Sequence, residues 1–89
     1  MTWTVQRTDT FLDSLKVFKK NGAVLAELEK KILRLQEDPL NTGGWLSGVL
    51  QGKKSTRIGG KYRLIFTPVE EDSLVYLNLI DHREKAYED

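Results

Sequence analysis

Basic side chains cluster in one stretch of the sequence. Between Asp38 and Glu70 lie 31 residues that include neither an aspartate nor a glutamate. Five cations fall within this stretch: Lys53, Lys54, Arg57, Lys61 and Arg63. The stretch therefore carries +5, while the rest of the chain carries −4. An anion such as a phosphodiester is the natural partner of such a basic band. The alternative interpretation is a solvated pair of strands whose lysines serve solubility.

The other residue types that could do chemistry are few. The sequence has no cysteine, which excludes disulfides, thiolate metal sites and cysteine catalysis. The presence of a single histidine, His82, excludes a multi-histidine metal site, and histidine is the residue type best suited to proton transfer near neutrality. A histidine at this position is also typical of a strand end bonded to a neighbour such as Asp81. We expect no metal and no small-molecule cofactor.

Length and composition predict one small globular domain over residues 1–89. Hydrophobic residues make up 39% and charged residues 30% of the chain, a balance typical of a folded protein. No apolar run approaches the roughly 18–20 residues of a membrane span, and the N-terminus lacks the pattern of a secretion signal. We therefore expect a cytoplasmic protein with no membrane partner.

Two amphipathic helices are predicted in the first half of the chain. The first follows an N-cap at Thr8 or Asp9 and ends at Asn21-Gly22, and the second ends at Asp38-Pro39. Apolar residues recur at helical spacing in both: Phe11, Leu12, Leu15 and Phe18, then Val24, Leu25, Leu28, Ile32, Leu33 and Leu35. Together they predict an antiparallel helical hairpin that buries its apolar face on a sheet.

Alternating and β-branched residues predict four strands, at 3–7, 55–58, 62–67 and 74–81. Gly59-Gly60 predicts a hairpin turn, and Pro68 predicts the end of the third strand. The order is β-α-α-β-β-β. This order predicts an α+β fold in which the helical hairpin packs on one face of a small, mainly antiparallel four-stranded sheet, leaving the other face for function.

Side-chain alternation predicts which residues reach the uncovered face. The sets predicted to face the helices are Val75, Leu77 and Leu79, and Tyr62, Leu64 and Phe66. The sets predicted to face away are Tyr76, Asn78, Ile80 and His82, and Arg63 and Ile65. Because Arg57 shares its parity with Ser55, we expect Arg57 and Arg63 to converge with His82 and Arg83 on the uncovered face.

Two segments then carry a family likeness. Residues 57–66, RIGGKYRLIF, place a basic residue before a glycine turn and a Tyr-Arg strand, and residues 80–87, IDHREKAY, run from the last strand into His-Arg and a tyrosine. In this order they resemble the RelE/ParE superfamily of toxins from bacterial and archaeal toxin–antitoxin pairs. The resemblance covers nearly the whole chain.

The resemblance implies a function. RelE-like members are endoribonucleases that need no metal, cut messenger RNA in the ribosomal A site and inhibit translation, and each is neutralised by a cognate antitoxin. A ribose 2′-hydroxyl attacks the adjacent phosphate and leaves a 2′,3′-cyclic phosphate. The positions that match the family's site are Lys54, with Lys53 or Arg57 as the second basic residue, then Arg63, Arg83 and Tyr87.

This reaction needs a proton acceptor, cations for the phosphorane charge and a proton donor for the leaving oxygen. Arg63 and Arg83 suit the charge, because a guanidinium stays charged and binds two phosphate oxygens. Lys54 would be the acceptor if nearby cations and partial burial lowered its pKa. The donor is His82, Arg83 or Tyr87. Lys53 and Lys61 would add RNA contacts, and Trp45 or Tyr87 would stack on a base.

The sequence is also compatible with other functions. A ParE-like gyrase inhibitor, or a non-catalytic relative that only binds an antitoxin, shares the fold and needs no proton acceptor. A general RNA-binding domain would show salt-dependent binding, which we expect to be weak at +5. Arg63 would lose its role if it paired with Glu70 or Glu71, and Trp45 and Tyr87 would lose theirs if they only packed.

Overall fold

Two α-helices and five β-strands make up residues 2–82, the part of the chain that this computed structural model describes. The elements are β1 (Thr4–Arg7), α1 (Asp9–Leu15), α2 (Gly22–Glu37), β2 (Gly44–Trp45), β3 (Lys54–Ile58), β4 (Tyr62–Val69) and β5 (Leu74–His82). The sheet order is β1-β5-β4-β3-β2. β1 runs parallel to β5, and every other neighbouring pair is antiparallel. The predicted α+β class is confirmed, with five strands instead of four.

Local capping explains where the helices begin. The Thr8 side chain accepts a hydrogen bond from the Phe11 amide, and the Asn21 side chain accepts one from the Val24 amide. α1 is shorter than predicted, because the chain tightens into a 3₁₀ turn at Lys16–Phe18. α2 ends at Glu37, as predicted from the Asp38-Pro39 step that follows it. No helix in residues 2–82 is long and apolar enough to cross a bilayer.

The main core lies between the helices and one face of the sheet. Its buried residues are Phe11, Phe18, Val24, Leu28, Ile32, Leu35, Ile58, Leu64, Phe66, Val75, Leu77 and Ile80. We predicted that the opposite face of the sheet would be uncovered, and this prediction is wrong. Ile65, which lies there, is fully buried, and Leu46 is buried too. Periodicity within one strand shows which residues share a face, but not whether other segments cover that face.

A β-bulge changes the facing of the last strand. Leu64 pairs with Ile80, Ile65 with Leu79 and Phe66 with Leu77, which leaves Asn78 as the extra residue. An extra residue inverts the alternation beyond it. Ile80 therefore enters the core and Leu79 lies opposite Ile65, so our predictions for both residues are wrong. The Thr67 hydroxyl donates to the Asn78 side-chain oxygen at 2.7 Å.

Pro68 does not end its strand, which corrects another prediction. It pairs with Val75 on β5. On its other side, β3 pairs with β4 only as far as Phe66. At Pro68, β4 therefore has no strand on that side to which a backbone N–H would donate. A strand tolerates proline at such an unpaired edge, because proline has no N–H.

Helix α1 completes the edge of β5 where β1 ends. β1 pairs with β5 only as far as Leu77, and beyond it the Ile80 amide donates to the Ser14 hydroxyl at 3.0 Å. We expect Ser14→Ala to lower the free energy of unfolding by about 1–3 kcal/mol, because the amide loses its acceptor. Urea denaturation beside Ser47→Ala, an exposed serine, is the measurement. Equal stability of the two variants would contradict this account of the edge.

Candidate functional site

Two arginines face each other across the β3–β4 hairpin. Arg57 and Arg63 are direct cross-strand partners, so their side chains leave the same face of the sheet, as the alternation predicted. Gly59, at φ +61°, makes the turn that aligns them. Like charges directly opposite one another destabilise a strand pair. A pair of this kind is therefore typical of a surface that an anion neutralises.

The two arginines line a groove of about 440 Å³ at the β3 edge of the sheet. The lining residues are Lys31, Gly43, Gly44, Trp45, Leu46, Ser55, Thr56, Arg57 and Arg63. Within residues 2–82, three lining residues are cations and none is acidic. The groove therefore combines concentrated positive charge with an aromatic wall, an arrangement suited to a phosphodiester strand and its bases.

The third cation of the groove, Lys31, escaped the sequence analysis. Its position on α2 indicated only a solvated outer face beside Glu27. The structure shows that α2 brings this lysine to the edge of β3, where it lines the groove with the arginines. Helical spacing reports which side of a helix is apolar, but not which strand its flank reaches, so the sequence held no signal for this residue.

Among the residues that the structure describes, Asp81 is the acid paired with Arg63 across the sheet. The two residues are cross-strand partners on β5 and β4. Our alternative partners for Arg63, Glu70 and Glu71, lie beyond the far end of β4, six residues or about 20 Å along the strand. Arg63 thus has an acidic residue as its cross-strand partner on one neighbouring strand and a second arginine on the other.

Lys54 is not brought to the arginine pair. Alternation along β3 places it on the helix side of the sheet, where it is 1% exposed. Its ammonium donates to the carbonyl oxygens of Pro39 at 3.2 Å and Leu40 at 2.5 Å. Burial lowers the pKa of Lys54, and the charge of Asp38 acts in the opposite direction. The ammonium is therefore occupied by the backbone at the end of α2.

His82 also lies away from the groove, and our prediction that it faces the uncovered side is wrong. It pairs with Tyr62, and the two rings meet edge to face with centroids 5.5 Å apart. Tyr62 in turn contacts Phe18 in the core at 4.7 Å. The bulge at Asn78 is the reason, because it reverses the facing of every later residue of β5.

The remaining predicted contacts divide between the groove and other surfaces. Trp45 lines the groove and is 55% exposed, so it is available for stacking and is not a core residue. Lys53 directly precedes β3 and is half-buried. Lys61 lines a separate hollow of about 390 Å³ between the hairpin turn and the start of α2.

Two predicted site residues, Arg83 and Tyr87, lie outside the described residues. Within residues 2–82, no group of three or more histidine, aspartate or glutamate side chains is placed to hold a metal ion. The groove itself offers ammonium and guanidinium groups, which bind anions.

The chain is similar to solved structures of toxins. It shares 30% identity with a chain of the toxin–antitoxin complex RelBE2 from Mycobacterium tuberculosis, with a TM-score of 0.78, over 93% of this chain and 100% of the other. The chain belongs to the RelE/ParE superfamily of toxins. No family sequence model matches it, and neither does any curated protein sequence.

More distant members of the RelE/ParE superfamily share the fold. A mutant of Escherichia coli RelE in the free state is 22% identical with a TM-score of 0.72, over 97% of this chain and 88% of that one. The YoeB/ParE toxin from Agrobacterium tumefaciens is 14% identical with a TM-score of 0.77, over 90% and 98%. The Tyr-Arg segment that carries the likeness places Tyr62 against the core and Arg63 in the groove.

The buried lysine of this RelE/ParE-superfamily protein predicts a pH effect on stability. In the unfolded chain Lys54 keeps its proton up to about the ordinary pKa of 10.5, whereas in the folded chain burial lowers the pKa of Lys54. Just below pH 10.5 the unfolded chain therefore binds more protons than the folded chain. We therefore expect the free energy of unfolding, taken relative to Lys54→Met, to rise with pH in the window just below 10.5 and to level off above it. Urea denaturation at a series of alkaline pH values measures this difference, and a difference that falls with pH would refute the expectation.

Proposed function

We propose that this toxin is a ribosome-dependent endoribonuclease that cuts messenger RNA in the ribosomal A site and so inhibits translation. The observation that carries the proposal is the pairing of Arg57 with Arg63 in a groove whose lining residues, among those described, include no acid. A ribose 2′-oxygen bonds to the adjacent phosphorus, and the bond from phosphorus to the 5′-oxygen breaks. The products are a 2′,3′-cyclic phosphate and a 5′-hydroxyl.

The arginine pair supplies the electrostatic part of this reaction. Charge builds on the non-bridging phosphate oxygens as the 2′-oxygen attacks. Guanidinium groups stay charged and bind two oxygens at once, so Arg57 and Arg63 together hold the reacting phosphate from two neighbouring strands. Lys31, from the other side of the groove, neutralises a neighbouring phosphate, and Trp45 stacks on a base.

The proposed reaction also requires two proton transfers. The 2′-hydroxyl proton must leave, and a proton must reach the 5′-oxygen. His82 packs against Tyr62 on the other side of the sheet, so we assign the donor role to Arg83 or Tyr87, as the family likeness implies. Lys54 would accept the 2′ proton only after its ammonium left two carbonyls. We therefore expect little cleavage unless the ribosome positions the RNA.

A cognate antitoxin is the second proposed partner, and the cytoplasm, where ribosomes lie, is the proposed location. The similar RelBE2 structure is a toxin–antitoxin complex, and so is the archaeal RelE–RelB structure from Pyrococcus horikoshii, at 18% identity and a TM-score of 0.74. An antitoxin that covers the groove would neutralise the toxin by excluding RNA.

Mapping message ends after induction in a bacterial host tests the proposed function. The wild type should stop growth and leave new 5′ ends within translated codons, and Arg57→Ala should leave messages intact. Intact messages together with DNA damage would instead support the ParE-like alternative, gyrase inhibition. Unchanged growth and intact messages with the wild type would leave only an antitoxin-binding relative.

A further inference from the structure

One wall of the groove is built from the segment that links α2 to β3. Gly43, Gly44, Trp45 and Leu46 all line the groove and all come from this segment. Gly43 has φ +70°, and a Cβ there would lie 2.1 Å from the Ser55 carbonyl oxygen. The wall, which we define as residues 38–46, therefore rests directly on the backbone of β3 at Ser55, which itself lines the groove.

Lys54 holds this wall at both of its ends. Near the start of the wall, its ammonium donates to the carbonyl oxygens of Pro39 and Leu40. Near the other end, the same nitrogen lies 5.0 Å from the ring centroid of Trp45. Burial of an ammonium is unfavourable unless hydrogen bonds replace its water, and here two carbonyls and an aromatic face do so.

Hydrogen bonds within the wall connect the residues near the contacts that Lys54 makes. The Thr42 hydroxyl donates to the Asp38 carbonyl oxygen at 2.7 Å, and the Asn41 amide donates to the Asp38 carboxylate at 3.2 Å. The carboxylate in turn acts electrostatically on Lys54. The wall is thus a connected unit with one buried cation at its base.

We propose that Lys54 is a positioning residue for RNA cleavage, which sets the distance between Trp45 and the Arg57–Arg63 pair by holding the wall. The inference rests on the proposed function and gives this lysine a role other than proton acceptor. Lys54 and Arg57 lie on opposite faces of β3, so the ammonium that holds the wall is turned away from the phosphate that Arg57 binds. Its effect on RNA therefore passes through Trp45.

Two variants separate positioning from proton transfer. Lys54→Met removes the charge and the donors, whereas Lys54→Arg keeps both and cannot accept a proton, because an arginine stays charged. Affinity is measured on ribosomes programmed with a message that carries a 2′-O-methyl group at the cleaved position. Single-turnover cleavage at saturating ribosome and its pH profile are measured on the unmodified message, with exposed Lys20→Met as the matched control.

Positioning predicts a loss of affinity that depends on Trp45. Lys54→Met should weaken binding about 10-fold, as expected when base stacking is lost, and should leave the saturated rate within about 3-fold and the pH profile unchanged. Adding Lys54→Met to Trp45→Ala should weaken binding no further. Lys54→Arg should stay close to the wild type. A loss of about 10²–10⁴-fold in the saturated rate of Lys54→Arg, with unchanged affinity, would overturn the proposal and make Lys54 the acceptor.

A spectroscopic measurement tests the wall without cleavage. Trp3 and Trp45 are the two tryptophans, so Trp3→Phe makes Trp45 the single reporter. In this background Lys54→Met should shift the emission to longer wavelength and increase quenching by acrylamide, and Lys54→Arg should do neither. Unchanged emission of Lys54→Met would overturn the positioning role of Lys54. A wild type that cuts no RNA would refute only the proposed function, because the emission measurement does not depend on cleavage. If Lys54→Met does not fold, Lys54→Arg still decides.

Discussion

Arg63→Ala should reduce single-turnover cleavage of ribosome-bound message by about 10²–10³-fold, the loss typical of removing one group that stabilises charge in a transition state. Arg63 lines the groove and has Arg57 and Asp81 as its two cross-strand partners, so its removal leaves one arginine where the proposed grip needs two. Cleavage is measured by primer extension on ribosomes programmed with a defined message.

Two further variants test whether the loss comes from the geometry of the Arg63 guanidinium or from the loss of a positive charge. Arg63→Lys keeps the positive charge opposite Asp81 but loses the two-oxygen grip, and should still cut at least about 10-fold more slowly. Lys20→Ala removes an exposed cation away from the groove and should cut like the wild type. Thermal melting of each variant separates loss of folding from loss of chemistry. If a folded Arg63→Ala cut at the wild-type rate, Arg63 would not stabilise the charge on the reacting phosphate.

Leu77→Ala should lower the free energy of unfolding by about 2–5 kcal/mol, the largest stability effect that we expect. Leu77 is fully buried at the centre of the core, and it pairs with Phe66 and lies beside β1. Removing its isobutyl group leaves a cavity that a close-packed interior cannot refill. Since small domains have only about 5–15 kcal/mol of stability, this single change should remove a large part of the total.

The matched control is another leucine. Leu33 lies on α2 but is 63% exposed, so Leu33→Ala makes the same chemical change outside the core. Its effect should stay within about 0.5 kcal/mol. Urea denaturation of both variants measures the contrast, and equal losses would mean that the core is not where the structure places it.

The strongest sequence patterns predicted the fold. The stripe at Leu28, Ile32 and Leu35 predicted α2, and the Asp38-Pro39 step predicted its end, because such features act within a few residues. The two-residue strand β2 has no period to detect, and Asn78 looks like any strand residue until its partners are known. Strand pairing decides where a bulge falls, and strand pairing is not local.

The site was predictable only in part, for the same reason. Arg57 and Arg63 lie on strands joined by a tight glycine turn, so their pairing follows from nearby sequence. Lys31 reaches the groove through helix placement, and Lys54 leaves it because the end of α2 supplies carbonyl acceptors for a buried ammonium. Both outcomes depend on tertiary contacts that residue type and spacing do not encode.

A double-mutant cycle on Arg57 and Arg63 tests most directly whether the two side chains hold one phosphate. Single-turnover cleavage of A-site message is measured for the wild type, Arg57→Ala, Arg63→Ala and the double variant, each confirmed as folded. Because groups that act on one phosphate are not independent, the double variant should lose clearly less than the product of the two single losses. Single losses that multiply, or single variants that cut like the wild type, would contradict a shared grip on the reacting phosphate.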